Sequence, residues 1–371
     1  MMRRIINHLY FLYLRKKWSL GKNAAGMVCG AFTNDYRMHK AGFWETRKIH
    51  SYGFSVEDWK TSHITKETKD KYLSTVQYYK LHPLNGKFTK WIDDKLTLKY
   101  LCAGTQLDRY LPKYYFLIDG KGRLVRLCDT PDDEKTPVFE DVATMLREKG
   151  SLAIKLRVGA IGKGFYKAVY DNGSYFMNDK KYELKEFVEA IKKLRDCLVI
   201  EYLKPHRELA KFCPNVTNTI RYLSASWNGH NERFLTFVRF GTKKSGYVEN
   251  YNKGGVLCFI DEDGSFHEGH VQNAKTGDDF IMTEHPDTHE KLNSTIPHWS
   301  DIQEAIKAFH RFFPMLEYMG FDFVVTDNEQ IKILEINSFN SLDSLQLQGP
   351  IFERKLGEYF KQKLQMINKS K

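Results

Sequence analysis

The sequence predicts an α+β protein with a helical N-terminal part and antiparallel sheets in its second half. Residues 1–80 are rich in Tyr, Trp, Lys and His and have the pattern of short helices joined by loops. Further along, short apolar runs flank turn sequences such as Gly120-Lys121-Gly122 and Asp171-Asn172-Gly173, which is typical of β-hairpins. A length of 371 residues suggests two or three subdomains.

The predicted elements follow in order along the chain. A turn at Asn85-Gly86 precedes a helical stretch that contains Asp93-Asp94-Lys95. Strands are predicted at 114–118, 124–127, 151–155, 165–170, 198–203, 219–226, 233–240, 256–260, 321–326 and 331–336. Further helices are predicted at 140–149, 184–194, about 302–313 and about 352–367.

Composition and charge exclude several classes of protein. Hydrophobic residues make up 42% and charged residues 28%, which excludes wholesale disorder. The apolar-aromatic run at 9–14 is far shorter than the ~20 residues of a membrane span, and no signal peptide is expected. No pair of the six cysteines has CxxC spacing, which favours reduced thiols in the cytoplasm.

The net charge of +11 is confined to the start of the chain. Residues 1–99 hold 19 basic and 8 acidic side chains, whereas the remainder is balanced. A basic head on a neutral body favours an anionic membrane surface or an acidic substrate over nucleic acid. Segment 3–18 suits either a helix lying on a membrane or an ordinary helix packed on the body.

The strongest chemical signal is the pair of segments around Asp322 and Glu335. On two adjacent antiparallel strands, both carboxylates can point to one face, and Asn337 follows Glu335 by two residues. Two carboxylates and an amide oxygen suit Mg²⁺ and its attendant phosphates, although solvated acids on a hairpin are the alternative. The intervening residues are expected to face the core: Phe323, Val325, Leu334 and Ile336.

A second signal is Lys155, which precedes a loop containing Gly159, Gly162 and Gly164. Backbone N–H groups of such a turn can hold phosphate while the lysine supplies positive charge. An ordinary hairpin with glycine in its turn is the alternative, and the GxxxxGK[ST] pattern is absent.

Two further signals lie on predicted strands. The strand ending in Glu201-Tyr202-Leu203 could present its backbone to adenine or could be a plain core strand. Arg221 and Arg239 lie mid-strand, so each should meet a carboxylate, a phosphate or an anionic substrate; a structural ion pair is the alternative.

Taken in order, these features resemble the ATP-grasp superfamily over roughly residues 85–350. The resemblance implies two α+β subdomains that clamp ATP, preceded here by the basic helical region. The implied divisions are a basic, mainly helical 1–84, an N-terminal part with a small lid at 85–205, and a C-terminal subdomain with the metal site at 206–371. It also implies ATP and two Mg²⁺ ions as cofactors.

The resemblance assigns roles residue by residue. It implies that Asp322, Glu335 and Asn337 hold Mg²⁺ and that Lys95 and Lys155 contact ATP phosphates, helped by the loop. The remaining ATP contacts that it implies are Gly159, Gly162, Lys163, Gly164, Glu201, Tyr202, Leu203 and Glu208, the last toward the ribose. Many ATP-grasp ligases carry Arg at the position of Gly320, so Arg221 or Arg239 would supply the catalytic cation here.

A narrower resemblance is to the sugar-transfer-associated branch of ATP-grasp proteins. The segments that carry it are Asn218-Thr219-Ile220-Arg221, Arg239-Phe240-Gly241, Val248-Glu249-Asn250, Gly254-Gly255-Val256 and His285-Pro286-Asp287-Thr288. It implies amide formation on a sugar acid or similar carboxylate in surface or capsule polysaccharide biosynthesis. Asn250, Gly254 and Gly255 are the implied substrate contacts.

The sequence therefore predicts a cytoplasmic, ADP-producing carboxylate–amine ligase, peripheral to the inner face of the membrane. Its expected partners are an acidic sugar or glycan and a small amine, with no nucleic acid. Two alternatives stay open at this point: a kinase that phosphorylates a hydroxyl, and a nucleotide-binding scaffold of a polysaccharide assembly complex.

Overall fold

The computed structural model shows a helical N-terminal region followed by two large antiparallel sheets. The residues that the structure describes are 2–131, 134–159, 164–214, 216–246, 249, 251, 254–272 and 279–369. The predicted α+β class is confirmed.

The N-terminal region is helical, as the sequence predicts, although its first two helices have 16 residues each and are longer than expected. Two later helices begin at serine caps: the Ser55 hydroxyl accepts from the backbone N–H of Asp58, and Ser74 forms a capping box with Gln77. The helices are α1 (Met2–Lys17), α2 (Lys22–Arg37), α3 (Phe43–Ser51), α4 (Val56–Thr61) and α5 (Thr75–Leu81). Two more, α6 (Lys90–Asp93) and α7 (Lys95–Cys102), lead into the sheets.

The first sheet is built from β1 (Tyr114–Ile118), β2 (Leu124–Arg126), β3 (Ser151–Leu156), β4 (Tyr166–Asp171), β5 (Ser174–Met177), β6 (Lys180–Tyr182) and β7 (Cys197–Glu201). Its strand order is β2-β1-β7-β3-β4-β5-β6. Helices α8 (Phe139–Lys149) and α9 (Leu184–Lys192) cover one face, where Leu152 and Ile154 are buried. The alternating residues Ala153 and Lys155 therefore lie on the opposite face.

The remaining strands are β8 (Thr219–Trp227), β9 (His230–Phe240), β10 (Val256–Phe259), β11 (Ser265–Phe266), β12 (Gly269–Gln272), β13 (Asp279–Met282), β14 (Ser294–Thr295), β15 (Tyr318–Val325) and β16 (Ile331–Asn337). The second sheet has strand order β13-β12-β10-β9-β8-β15-β16, and β11 and β14 form a small two-stranded sheet. Helix α10 (Arg207–Ala210) precedes the second sheet, and α11 (Trp299–Phe312) covers one face of it through Ile302, Ile306 and Phe309. The chain ends with α12 (Leu342–Gln346) and α13 (Lys355–Lys369).

The other face of the second sheet is divided between a core and a cleft. Leu223 and Phe237 pack with Tyr78 of α5 and Tyr359 of α13 in one buried cluster. Further along the same face of β8 lie polar residues, Thr219 and Arg221, which line the cleft. The N-terminal helical region and the C-terminal helix thus share one core, and that core closes one end of the cleft.

Within the described residues, none of the helices combines the length and the apolar character needed to cross a membrane.

One buried histidine makes the stability of this fold depend on pH. His310 of α11 lies within hydrogen-bonding distance of Ser224 Oγ (2.8 Å, from Nε2) and Ser226 Oγ (3.1 Å, from Nδ1). Burial lowers the pKa of His310 to about 4. The histidine of the unfolded chain titrates near 6.5. Between about pH 6.5 and pH 4 the unfolded chain therefore binds more protons than the folded protein does, and acidification lowers the free energy of unfolding.

We therefore expect the free energy of unfolding to fall by about 2 kcal/mol through His310 when the pH is lowered from 8 to 5. His310→Gln should remove that part of the pH dependence in urea titrations, whatever it does to stability at pH 8. His267→Gln, at an exposed position, is the matched control and should leave the dependence unchanged. An equal loss of stability on acidification in both variants would contradict the assignment.

Candidate functional site

The two segments with the predicted metal ligands form neighbouring strands. Asp322 of β15 lies directly opposite Glu335 of β16. The amide Nδ2 of Asn337 lies 3.3 Å from both Asp322 Oδ2 and Glu335 Oε1. The structure thus brings the three side chains together at one end of the sheet, and their metal role stays a prediction.

A bulge in this hairpin changes which side chains face the cleft. Asp322 pairs with Glu335, but Phe323 pairs with Ile333, so Leu334 is an extra residue without an opposite partner. The expectation that Leu334 faces the core is wrong for this reason: its side chain lines the cleft. Its carbonyl oxygen accepts a hydrogen bond from Lys155 Nζ at 3.1 Å.

Two arginines on neighbouring strands face Asp322. Arg221 of β8 donates from Nε and Nη2 to the two carboxylate oxygens, at 2.7 and 2.9 Å. Arg239 of β9 donates from Nη2 to Asp322 Oδ1 at 3.1 Å and to Thr219 Oγ1 at 2.7 Å. Burial disfavours the charged form of Arg221, but Asp322 outweighs burial and raises the pKa of the guanidinium. Each mid-strand arginine therefore meets a carboxylate.

The backbone at Gly320 lies against the side chain of Asn340. A Cβ at position 320 would lie 2.3 Å from Oδ1 of Asn340, so a larger side chain has no room there. The same Oδ1 accepts a hydrogen bond from Arg221 Nη1 at 2.7 Å. Asn340 thus fills the space of a residue-320 side chain and holds the guanidinium of Arg221 beside Asp322.

Two lysines reach the site from outside the second sheet. Lys95, the first residue of α7, places Nζ 2.9 Å from Glu335 Oε2 and 3.1 Å from the carbonyl oxygen of Gly159. Burial alone would raise the pKa of Glu335, but Lys95 and Lys155 hold it well below its usual range. Burial and the nearby charge of Lys95 lower the pKa of Lys155 to about 7.

The cleft between the sheets has a volume of about 520 Å³, which is within the range of small-molecule sites. Glu201, Tyr202 and Leu203 line its far side. The strand that carries them ends at Glu201, two residues earlier than the sequence predicts, because the pairing of β7 with β3 runs only from Cys197 to Glu201. Tyr202 and Leu203 therefore follow the strand.

Some predicted residues are not brought to the cleft. Glu208 of the short helix α10 is half-exposed and pairs with Lys211 at 3.4 Å. Gly164, Gly254 and Gly255 are not among the described residues that line the cleft. Three others, Gly162, Lys163 and Asn250, lie outside the described residues.

The structure also adds residues that the sequence did not single out as site residues. Thr219 accepts from Arg239 and donates from Oγ1 to Glu249 Oε1 at 2.8 Å. Thr219 lies two residues before Arg221 on β8, so strand periodicity could have identified it. Thr61, Phe339 and the other cleft residues of the helices and loops carry no comparable signal.

The residues at Asp322 fit a magnesium ion. No group of three or more His, Cys, Asp and Glu side chains in the described ranges could hold a metal. The carboxylates of Asp322 and Glu335 nevertheless supply hard oxygen donors, which Mg²⁺ binds through few protein ligands together with waters and phosphates. Asn337, whose Nδ2 faces both carboxylates, would add an oxygen by rotation of its amide. Arg221 and Arg239 pair with Asp322, and Lys95 pairs with Glu335, so each carboxylate has a cationic partner.

A comparison of the sequence with models of known protein families identifies the family of this chain. The model of the family described as sugar-transfer associated ATP-grasp matches residues 75–356. The chain belongs to this family. Membership confirms the resemblance drawn from the sequence and the ATP-grasp fold.

Solved structures of ATP-grasp enzymes are similar at low identity. D-alanyl-alanine synthetase A from Vibrio cholerae is 15% identical, with 75% of this chain and 65% of that chain covered and a TM-score of 0.42. A RiPP-associated ATP-grasp ligase from Chryseobacterium gregarium, solved with ADP and peptides, is 10% identical, with 76% and 61% covered and a TM-score of 0.38.

N5-carboxyaminoimidazole synthetase from Staphylococcus aureus, solved with ADP, is 11% identical, with 68% and 46% covered and a TM-score of 0.37. This ATP-grasp chain thus spans between about half and two-thirds of the length of these proteins. No curated protein matches the sequence.

The crowding at Gly320 yields a prediction. Gly320→Ala should push the Asn340 amide aside and loosen its bond to Arg221, with a loss of about 1–3 kcal/mol in unfolding free energy, as for other overpacked positions. Denaturant titration measures the loss.

Gly30→Ala is the control, because a Cβ at position 30 meets nothing within 4 Å. It lies inside α2, where alanine should be neutral or stabilising. Equal effects of the two substitutions would show that Asn340 does not fill the space beside Gly320.

Proposed function

We propose that this protein is an ATP- and Mg²⁺-dependent ligase that joins a carboxylate to an amine. The observation that carries the proposal is the convergence of Asp322, Glu335 and Asn337 with four cations in one cleft: Lys95, Lys155, Arg221 and Arg239. A site built for a carboxylate alone has no need of the acids, and a site for a metal alone has no need of the cations. Nucleotide phosphates with Mg²⁺ use both.

Each side chain has a distinct part in the proposed reaction. Asp322, Glu335 and Asn337 would hold Mg²⁺, which neutralises charge on the β- and γ-phosphates when bound. Lys95 and Lys155 would contact phosphate oxygens, for which Lys95 gives up its pairing with Glu335. Tyr202, Leu203 and the backbone beside Glu201 would hold the adenine ring at the far side of the cleft.

The chemistry then proceeds in two transfers. The γ-phosphoryl group moves from ATP to the substrate carboxylate, which leaves ADP and an acyl phosphate. The amine attacks the acyl carbon, loses a proton, and phosphate departs as the amide forms. Arg221 or Arg239 would stabilise the tetrahedral oxyanion of the second transfer. No enzyme nucleophile is required.

The carboxylate substrate that we propose is a sugar acid or a related acid in surface polysaccharide synthesis. The support is the sugar-transfer association of the family to which the chain belongs. An anionic acceptor also suits a cleft that presents Arg221 and Arg239 on adjacent strands.

The reaction is tested by ADP release with uronic acids and amino acids offered singly and together. We expect ADP only when both are present, and an amide product by mass spectrometry. Formation of a phosphorylated acceptor in the absence of an amine would show that the protein is a kinase and not a ligase. Nucleotide binding without turnover on any acceptor would favour a scaffold.

A variant of Glu335 tests the metal site directly. In the wild type, a non-hydrolysable ATP analogue with Mg²⁺ at ~100 times its Kd should add ~2.7 kcal/mol to native stability. Glu335→Gln should lose most of this gain and all turnover, because it removes one of the two metal carboxylates. Thermal unfolding with and without ligand measures the gain.

Glu304→Gln, on the exposed side of α11, is the control and should keep both the gain and its dependence on Mg²⁺. A full gain in Glu335→Gln, or the same gain when EDTA replaces Mg²⁺, would contradict the assigned metal ligands.

We further propose that α1 attaches the protein to an anionic membrane. One side of this helix packs on the body through Tyr10, Phe11 and Leu14. The apolar residues of its other side are each at least 42% exposed: Ile5, Ile6, Leu9, Leu12 and Tyr13. Its last turn is basic, with Arg15, Lys16 and Lys17, and the helix contains no acid. An exposed apolar stripe beside basic residues is the pattern of helices that lie in a membrane interface.

Flotation with lipid vesicles tests this attachment. The protein should bind phosphatidylcholine vesicles only when they also contain phosphatidylserine, and binding should weaken as the salt concentration rises. Replacing Ile5 and Leu9 by Ser should weaken binding about tenfold or more, since each side chain loses apolar area. Met366→Ser, at another exposed apolar position, is the control. Unchanged binding of the double variant would exclude α1 as the attachment.

A further inference from the structure

A second cavity adjoins the nucleotide cleft on the side of the N-terminal helical region. Its volume is about 210 Å³. Phe339, Ser341 and Asp343 line both this cavity and the main cleft, so the two spaces share a wall. The proposed reaction needs a second substrate, and this cavity shares lining residues with the cleft that would hold the first.

The charge of the second cavity is opposite to that of the chain as a whole. Its ionisable acids are Asp35, Glu57, Asp58 and Asp343, and its one basic lining residue among those described is Lys40. Lys40 Nζ forms an ion pair with Glu57 Oε2, so three formal negative charges of the lining remain without a lysine or arginine of the lining to balance them. We call this cavity, defined by the four acids, the acidic side pocket.

One carboxylate oxygen of Asp35 has no hydrogen-bond donor. The residue is 1% exposed, and its Oδ2 accepts from the backbone N–H of Val56 at 2.8 Å and contacts His50 Nε2 at 2.9 Å. Its Oδ1 is buried and has no hydrogen-bond partner. Lys40 Nζ lies 3.6 Å from that oxygen, too far for a hydrogen bond. A buried acceptor without a donor is costly, so this oxygen points to a ligand that donates.

Asp58 is held firmly in the same wall. Ser55 Oγ donates to its Oδ2 at 2.7 Å, and Thr75 Oγ1 donates to the same oxygen. Burial raises the pKa of Asp58 to about 6, and the neutral hydroxyls that bond to it offset only part of that cost. A cation in the pocket would favour its ionised form.

We propose that the acidic side pocket binds the ammonium group of the amine substrate. This inference rests on the proposed ligase function and places its second substrate, the amine, in the acidic side pocket. A primary ammonium would balance part of the negative charge that Lys40 leaves in the pocket, and it carries the N–H donors that Asp35 Oδ1 lacks. An anionic acceptor would be repelled from the pocket, so the two substrates are sorted by charge between the two spaces.

The direct test is binding of small amines without nucleotide. Ethanolamine and 1,4-diaminobutane serve as cationic probes, ethylene glycol as the neutral probe and propionate as the anionic one, all followed by saturation-transfer NMR. We expect both amines, and neither of the other probes, to bind the wild type. Asp58→Asn and Asp343→Asn should each weaken amine binding about tenfold, the effect of one lost charged hydrogen bond.

Asp70→Asn is the matched control, because it removes one negative charge from an exposed position in the same region. It should bind amines as the wild type does. If Asp58→Asn fails to fold, Asp343→Asn decides the question, since that carboxylate is only half-buried and bonds to Ser341 and Ser344 at the start of α12.

The outcomes separate this inference from the proposed function. Absence of amine binding, or equal binding in the control and both pocket variants, overturns the pocket assignment. If Mg²⁺ and the ATP analogue still stabilise the protein in that case, the nucleotide site stands without it. Amine binding could depend on Asp58 and Asp343 while no nucleotide stabilises the protein. That result would support the pocket assignment and refute the proposed ligase function.

Discussion

The site depends on one requirement, which is that the charge of the buried carboxylate of Asp322 be balanced. This side chain is 3% exposed, and an ionised carboxylate so placed needs close cations. Arg221 supplies two hydrogen bonds to it and Arg239 a third. Lys95 does the same for Glu335. The protein's own cations thus pair with both acids, and Mg²⁺ with phosphate could replace these pairings.

The sheet produces this arrangement because charged residues lie on one face of four neighbouring strands. Arg239, Arg221, Asp322 and Glu335 belong to β9, β8, β15 and β16, which are adjacent in that order. Strand pairing sets the spacing between these side chains, so no flexible loop has to position them. The lysines come from α7 and from the first sheet, so phosphate contacts would link the two halves of the molecule across the cleft.

Local sequence patterns predicted the elements and the acids of the site, because strand periodicity and turn residues are local properties. Glu335 and Asn337 lie two residues apart on one strand, and a hairpin alone brings Asp322 opposite Glu335. The bulge at Leu334, by contrast, depends on the register of the pair. The place of Asn340 against Gly320 and the wall formed by Asp58 with Asp343 depend on contacts between distant segments. No local pattern encodes such contacts, and the acidic pocket was hidden within a region whose net charge is basic.

The central claim is that Asp322 and Glu335 exchange protein cations for a metal when nucleotide binds. Its most direct test is a crystal structure with a non-hydrolysable ATP analogue and Mn²⁺, which the anomalous signal locates. We predict a manganese peak bound by Asp322, Glu335 and Asn337, with Lys95 moved from Glu335 to a phosphate oxygen. A nucleotide bound elsewhere, with the Arg221–Asp322 and Lys95–Glu335 pairs intact, would contradict the account.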